Sequence, residues 1–122
     1  KDFNWFFLVN RTDSWVAFEC EKGQPKMIQE ALDKDGNWRP IEYWHPSGCA
    51  MSYGHCSIES NEFKYYKIQK YDGDFPTLLR VKCKIGDKIM HSLPFYGRIN
   101  EAQFEGIEAI QNRGWTAWYE KN

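Results

Sequence analysis

The chain lacks a long apolar run, an excess of charge of either sign, and any internal repeat or low-complexity tract. A membrane-spanning helix needs about 18 consecutive apolar residues, and no run in this sequence approaches that length, so no membrane span is expected. The 16 basic and 17 acidic side chains nearly balance, which argues against nucleic acid as a partner. No linker-like stretch interrupts the sequence, and we expect residues 1–122 to form a single domain.

The common sequence motifs of catalytic sites are also missing. The chain contains no G-x-S-x-G, no H-E-x-x-H and no glycine-rich phosphate loop. Two acidic pairs lie in turn-like stretches, Asp33 with Asp35 and Asp72 with Asp74. Asp is favoured in turns because it hydrogen-bonds the local backbone. We therefore expect a protein that binds without catalysing a reaction and that uses no cofactor.

Aromatic side chains are abundant, at 17% of the chain. Aromatic and β-branched residues favour strands, and short apolar runs alternate with turn residues along the sequence. The clearest alternation places four apolar side chains on one face, Leu79, Val81, Cys83 and Ile85. These patterns predict an all-β fold, an antiparallel β-sandwich with one short helix towards the C-terminal end.

That helix has a recognisable start. Asn100 can cap it, and Gln103 can reach back to complete a capping box. The residues that then share one face at helical spacing are Phe104, Ile107 and Ile110. Gly114 suits the helix end, and residues 115–119 are expected to form a short last strand.

Turn residues predict two hairpins. Asp35-Gly36 is a preferred hairpin pair, because both central positions need positive φ. Further along, the hydrophobic pattern favours a three-residue turn over residues 86–88, which sets Ile85 opposite Ile89.

The first strand, within residues 3–10, is apolar at odd and even positions alike. A strand with one solvated face alternates apolar and polar side chains. We therefore expect this strand to be covered on both faces.

The four cysteines indicate an oxidising compartment. The chain begins at Lys1 without a signal-peptide pattern, which we interpret as a mature or trimmed export product. A secreted, periplasmic or cell-surface location is expected. The triplet Asn10-Arg11-Thr12 also matches the acceptor pattern for N-glycosylation.

Four cysteines allow three pairings. Cys20 and Cys83 are predicted to point into the core from different strands, whereas Cys49 and Cys56 lie in one Gly- and Ser-containing loop. Core cysteines are poorly placed to reach a loop, so the favoured disulfides are Cys20–Cys83 and Cys49–Cys56. The alternative for Cys20 and Cys83 is a pair of buried free thiols.

The segment HPSGCAMSYGHC, residues 45–56, has a second interpretation as a metal site. It holds the ligand types of a blue-copper centre, His45, Cys49, Met51 and His55. Six residues separate its two cysteines, however, whereas zinc sites use C-x₂₋₄-C. The ligand order also departs from the usual cupredoxin arrangement. The spacing favours a disulfide loop and no metal, with a small copper or zinc protein kept as an alternative.

Several aromatic side chains are candidates for carbohydrate binding. A sugar ring stacks on an indole or phenol while neighbouring polar groups bind its hydroxyls. The predicted ligand-binding residues are Trp38, Trp44 and Tyr53 for stacking, with Asn37, Glu42 and His45 for hydrogen bonding. The alternative is that the tryptophans pack in the core, since Trp is usually highly buried.

Seven or more short strands and the separated Cys20 and Cys83 resemble an immunoglobulin-like sandwich, and are similar to small exported bacterial sandwich domains. In antibody domains a Trp follows the first cysteine closely and a Tyr precedes the second by two residues. Here Trp38 comes later and residue 81 is Val. The resemblance therefore implies architecture and carries no functional residues.

The leading hypothesis is an exported, non-catalytic module that binds carbohydrate or a protein, as a monomer or weak oligomer. The first alternative is a structural or assembly protein that uses edge strands or an aromatic patch. The second is the copper or zinc protein described above.

Overall fold

The computed structural model describes residues 2–44 and 53–112. Its elements are β1 (Phe3–Val9), β2 (Val16–Glu21), β3 (Met27–Leu32), β4 (Trp38–Pro40), β5 (Tyr53–Ile58), β6 (Phe63–Gln69), β7 (Phe75–Ile85), β8 (Lys88–His91), β9 (Phe95–Ile99) and α1 (Ala102–Asn112). All of the named strands pair antiparallel. The predicted all-β, sandwich-like fold with one short helix is confirmed.

One layer is a sheet built around β7. This 11-residue strand pairs with β3 on one side, and β4 follows β3 at the edge. On the other side β8 pairs with residues 82–85 and β9 with residues 75–79. Between them Ser92 N donates to Val81 O at 2.8 Å, and Val81 N donates to Ser92 Oγ at 2.9 Å. β8 and β9 therefore form one interrupted edge along β7.

The other layer is a long two-stranded ribbon. β1 pairs with β6 and β2 pairs with β5, so residues 3–21 run antiparallel to residues 53–69 with a corner between the two halves. The Asn10 side chain closes that corner. Its Nδ2 donates to Ser14 O at 2.9 Å and to Ile58 O at 2.8 Å, and its Oδ1 accepts from the Thr12 N–H. The triplet Asn10-Arg11-Thr12 thus forms a turn with a buried amide, which is unsuited to glycosylation.

The core lies where the ribbon and the helix cover the inner face of the sheet. The ribbon contributes Phe6, Tyr66 and Ile68, which pack on Met27, Val81 and Cys83 of the sheet. Helix α1 places Phe104 against a second set, formed by Ala31, Ile41, Leu79 and Ile99.

The local signals for the helix are confirmed in part. Gln103 Oε1 accepts from Asn100 N at 2.9 Å, which is one half of a capping box. The other half is missing, because Asn100 Oδ1 accepts from Asp74 N at 3.4 Å. Phe104 and Ile107 are buried. The expected end at Gly114 and the last strand at 115–119 lie outside the described residues. No described helix is long and apolar enough to cross a membrane.

The first predicted hairpin is present, but Asp35 lacks the expected positive φ and the loop spans residues 34–36, with Leu32 paired to Trp38. Gly36 has φ 82° in the turn after β3.

The register of the second hairpin was wrong. After β7, Ile85 pairs with Lys88 across a two-residue turn at Gly86-Asp87, where Gly86 has φ 64°. The prediction assumed that burial of β8 sets its register. β8 lies at a sheet edge with Met90 46% exposed, so the turn geometry decides.

The predicted disulfide pairing is also wrong. The bond joins Cys20 to Cys56, with the two Cα atoms 6.0 Å apart. The prediction placed Cys56 in a loop, but it lies in β5. There Cys20 faces Gly54 across the ribbon, which brings Cys20 and Cys56 together as diagonal neighbours.

The alternative of a buried free thiol is confirmed for Cys83. Burial raises the pKa of the Cys83 thiol to about 11. Cys49 lies outside the described residues. The Cys20–Cys56 disulfide fits an extracellular or periplasmic protein.

Candidate functional site

The residues predicted to bind a ligand do not assemble into one site in the described part of the chain. Trp38 pairs with Leu32 at one end of β3, and Trp44 packs on Ile28 at the other end. Ile28 and Leu32 are four residue steps apart along β3, or about 13 Å. Asn37 is exposed in the turn beside Trp38. His45 and the side chain of Tyr53 lie outside the described residues.

Two of these predicted residues have structural partners. The Arg80 guanidinium carbon lies 4.4 Å from the centroid of the Trp38 ring. The Trp44 Nε1 donates to Glu21 Oε1 at 3.3 Å. Both indoles are half-buried, and both hold neighbouring segments together.

Glu42 is a structural carboxylate. It accepts hydrogen bonds from Gln29 N at 2.8 Å, from Gln29 Nε2 at 3.0 Å and from the Tyr71 hydroxyl at 2.6 Å. Burial, and then the Glu42 charge, raise the pKa of Tyr71. A cavity of about 500 Å³ opens beside this network between the residue 41–44 segment and α1. The network fastens that segment to β3, which explains Glu42 without a ligand.

An exposed apolar surface lies on the outer side of the β1–β6 ribbon. We call it the aromatic face, and it consists of Phe3, Trp5, Phe7, Val9, Phe63 and Tyr65. Five of its side chains are 45–58% exposed, and Phe3 is half-buried. The expectation that the first strand is covered on both faces is therefore wrong. Its even-numbered residues face the core and its odd-numbered residues face outwards.

The rings of the aromatic face contact one another along the ribbon. Trp5 meets Phe3 edge-on with centroids 5.0 Å apart, and meets Tyr65 edge-on at 5.3 Å. Phe7 lies 5.8 Å from Phe63 and 6.1 Å from Tyr65. The surface is continuous, but its ring planes are strongly tilted against one another.

One cation lies within this surface. The Lys67 Nζ is 4.5 Å from the centroid of the Phe3 ring and 6.0 Å from that of Trp5. A cation over an aromatic ring is attracted by the ring quadrupole. One end of the aromatic face is therefore positively charged.

The backbone of β1 is hydrogen-bonded on one side. Lys70 N donates to Asp2 O and Asn10 N donates to Glu62 O, both at 2.9 Å, at the two ends of the strand. In an antiparallel ladder, residues that bond the partner alternate with residues whose N–H and C=O point away, so the even positions bond β6. The positions that turn their backbone groups to the opposite edge are Phe3, Trp5, Phe7 and Val9.

A groove runs beside that edge of β1. Its far side is formed by residues 86–95, and its lining includes the core residues Val81 and Cys83. Two adjoining cavities of about 600 Å³ and about 650 Å³ make up the groove. The residues common to both are Leu8, Val9, Arg11 and Met90.

The metal alternative gains no support in the described ranges, which contain no cluster of three or more potential metal-binding side chains. His55 is exposed on β5. The other residues proposed for that site, His45, Cys49 and Met51, lie outside the described residues.

Sequence reasoning missed the aromatic face as a site. The signal was present in the first strand, whose odd positions are all apolar or aromatic, and in Tyr65 and Tyr66, of which one had to face away from the core. Comparison with protein-family models, with curated proteins and with solved structures finds no match to this chain.

Proposed function

We propose that this protein is a non-catalytic binding module whose aromatic face on β1 and β6 recognises a partner protein. The observation that carries the proposal is the size and continuity of that face. Side chains of this kind cover 150–250 Å² each, so the exposed halves sum to roughly 500 Å². A patch of that size on a soluble protein is at the upper end of what monomers expose and commonly marks an interaction site.

The tilt of the rings favours a protein over a carbohydrate as the partner. Stacking on a sugar needs a flat ring surface, whereas Trp5 stands at 79° to Phe3 and at 83° to Tyr65. Trp and Tyr with a flanking cation are the residue types enriched at the energetic centre of protein interfaces. The Cys20–Cys56 disulfide supports an exported protein that meets its partner outside the cytoplasm.

The proposal is tested with a pair of matched double variants. Trp5→Ser with Tyr65→Ser removes the centre of the aromatic face. Trp15→Ser with Tyr96→Ser removes the same residue types from exposed positions elsewhere, which are 61% and 90% exposed. Each protein is immobilised and exposed to the extracellular and envelope proteins of the source organism.

We expect wild type and the Trp15/Tyr96 variant to retain a common protein that the Trp5/Tyr65 variant does not. Retention of the same proteins by all three would contradict the proposal. A tryptophan-fluorescence shift with a glycan panel, lost only in the Trp5/Tyr65 variant, would show that the face binds carbohydrate instead.

A further inference from the structure

We propose that the groove beside β1 binds a single extended segment of a partner protein, which pairs with the free edge of β1 as an added strand. The segment is apolar at alternate positions and acidic near one end. This site is the edge of β1 and the gap next to it. It does not require that the outward rings of the aromatic face bind anything.

The first argument is the free backbone of β1. Its odd-numbered positions direct N–H and C=O groups into the groove, and β1 pairs with no strand other than β6 among residues 2–44 and 53–112. Natural edge strands are usually blunted by Lys, Pro or a bulge. β1 reads FNWFFLV and has none of these, whereas β6 carries Lys64 and Lys67. An unprotected edge of this kind is suited to strand addition.

The second argument is the shape of the gap. The groove is bounded on one side by β1 and on the other by residues 86–95. A second copy that paired through its own β1 would bring its β6 along as the next strand, on the side of the groove that residues 86–95 line. A single extended segment has no such neighbour and fits between the two sides.

The lining suits alternate side chains of such a segment. Successive side chains of a strand point to opposite faces, so every second one would enter the gap between the layers. There it would meet apolar groups from both layers, Phe6, Leu8, Ile68, Val81, Met90 and Phe95. The remaining side chains would extend the aromatic face.

Basic side chains at one end of the groove are the reason that we expect acidic residues at one end of the bound segment. Arg11 and Lys88 line the cavity at the corner of the ribbon, and Asp87 is the acidic residue among the lining side chains. Within the described residues neither Arg11 nor Lys88 forms an ion pair. Both side chains are exposed, and a carboxylate on the incoming segment would complement their charge.

The test uses three synthetic peptides as long as β1. The first alternates Thr and Val and ends in Asp-Glu, the second ends in Lys-Lys, and the third has Pro at its centre. Affinity is measured by calorimetry against the wild type. We expect the acidic peptide to bind, the basic peptide to bind several-fold more weakly, and the Pro peptide not to bind. Arg11→Gln should reduce the preference for the acidic peptide.

A matched pair of variants isolates the backbone. Val9→Ala keeps the N–H that points into the groove, and Val9→Pro removes it without removing a bond to β6. We expect Val9→Pro to bind the acidic peptide roughly tenfold more weakly than Val9→Ala. The affinity falls because one hydrogen bond is lost and the proline ring adds a steric conflict.

Hydrogen exchange on the unmodified protein gives a readout that does not depend on how a variant folds. The acidic peptide should slow exchange at the amides of Trp5, Phe7 and Val9. It should leave Phe6 and Leu8 unchanged, since these already bond β6.

Three results would overturn the proposal. The first is that none of the peptides binds, and the second is protection without the odd–even pattern along β1. The third is equal affinity of the two Val9 variants. A concentration-dependent dimer that Val9→Pro abolishes, without peptide binding, would assign the edge to a second copy of the chain.

Discussion

The outer face of the ribbon and the outer face of the sheet carry different kinds of side chain. Both layers bury one side in the shared core. On the sheet, the outward Glu30 is paired with Arg80 at 2.8 Å and with Lys82 at 3.6 Å, and Arg80 stacks on Trp38. On the ribbon, the outward positions of β1 and β6 carry the aromatic face, with Lys67 at one end.

The side chains on the sheet face have partners within the protein, whereas those on the ribbon face are left exposed to solvent. The sheet face carries Glu30, Arg80 and Lys82, which pair with one another and whose side chains are only 5–22% exposed. The ribbon face leaves apolar area in water, which costs solubility and gives little stability in return. A surface that the fold does not need is the place where a binding role is most easily explained.

The largest effect is expected from a comparison of two neighbouring residues in β1, one facing the core and one in the aromatic face. Phe6 is 9% exposed and faces the core, whereas Phe7 is 55% exposed in the aromatic face. We expect Phe6→Ala to lower the free energy of unfolding by about 3–5 kcal/mol, and Phe7→Ala by about 1 kcal/mol or less, since it loses ring contacts alone. Urea denaturation measures both. Similar costs for the two variants would show that the aromatic face is part of the fold.

A second test asks what holds the ribbon together. β7 is paired on both sides, but the β2–β5 half of the ribbon has two strands and a disulfide between positions 36 residues apart. Replacing Cys20 and Cys56 together by Ala should lower the free energy of unfolding by about 4 kcal/mol, because the unfolded chain gains entropy.

Cys83 provides the control for that variant. It is a free thiol, 2% exposed, in the sheet, and Cys83→Ala should cost about 1 kcal/mol through a small cavity. In the native state Cys83 should also resist thiol reagents, because burial raises its pKa to about 11 and the thiolate is the reactive form. An equal loss from both cysteine changes would contradict a special role for the disulfide in the ribbon.

The parts of this fold that the sequence predicts are those set by local rules. The alternation of Leu79, Val81 and Cys83 identifies the inner face of β7, and Asn100 with Gln103 identifies the start of α1. In each case the signal and the structure it specifies lie within one element. Such signals depend little on what packs against them.

The errors concern choices that only distant residues decide. β1 has apolar side chains at odd and even positions alike. Its sequence therefore does not indicate which of the two sets packs against Met27 and Val81. The partner of Cys20 follows from the pairing of β2 with β5, across a separation of 36 residues. Glu42 looked available for a ligand because its partners Gln29 and Tyr71 are remote in the sequence. The position of the candidate site is therefore decided by how the two layers pack together.

The smallest predicted effect tests whether the charged side chains on the sheet face neutralise one another. His91 Nε2 lies 4.0 Å from Glu30 Oε1, and the charged groups around it are Glu30, Arg80 and Lys82. Burial, then Arg80 and Lys82, lower the pKa of His91, and Glu30 opposes them. The NMR titration of the imidazole should therefore give a pKa below 6.5, and Glu30→Gln should lower the pKa further.

The sign of the effect on stability follows from that shift. Because the folded state binds the proton less readily than the unfolded chain, the contribution of His91 is intact above about pH 6.5 and is lost as the pH falls through the folded pKa. His91 is more than a third exposed, so solvent screening keeps the loss below about 0.5 kcal/mol. The difference between wild type and His91→Gln, measured by urea denaturation at each pH, isolates it from the carboxylates. A His91 pKa above 6.5 would mean that Glu30 is not neutralised by its basic neighbours, and that the sheet face still has charge to offer a partner.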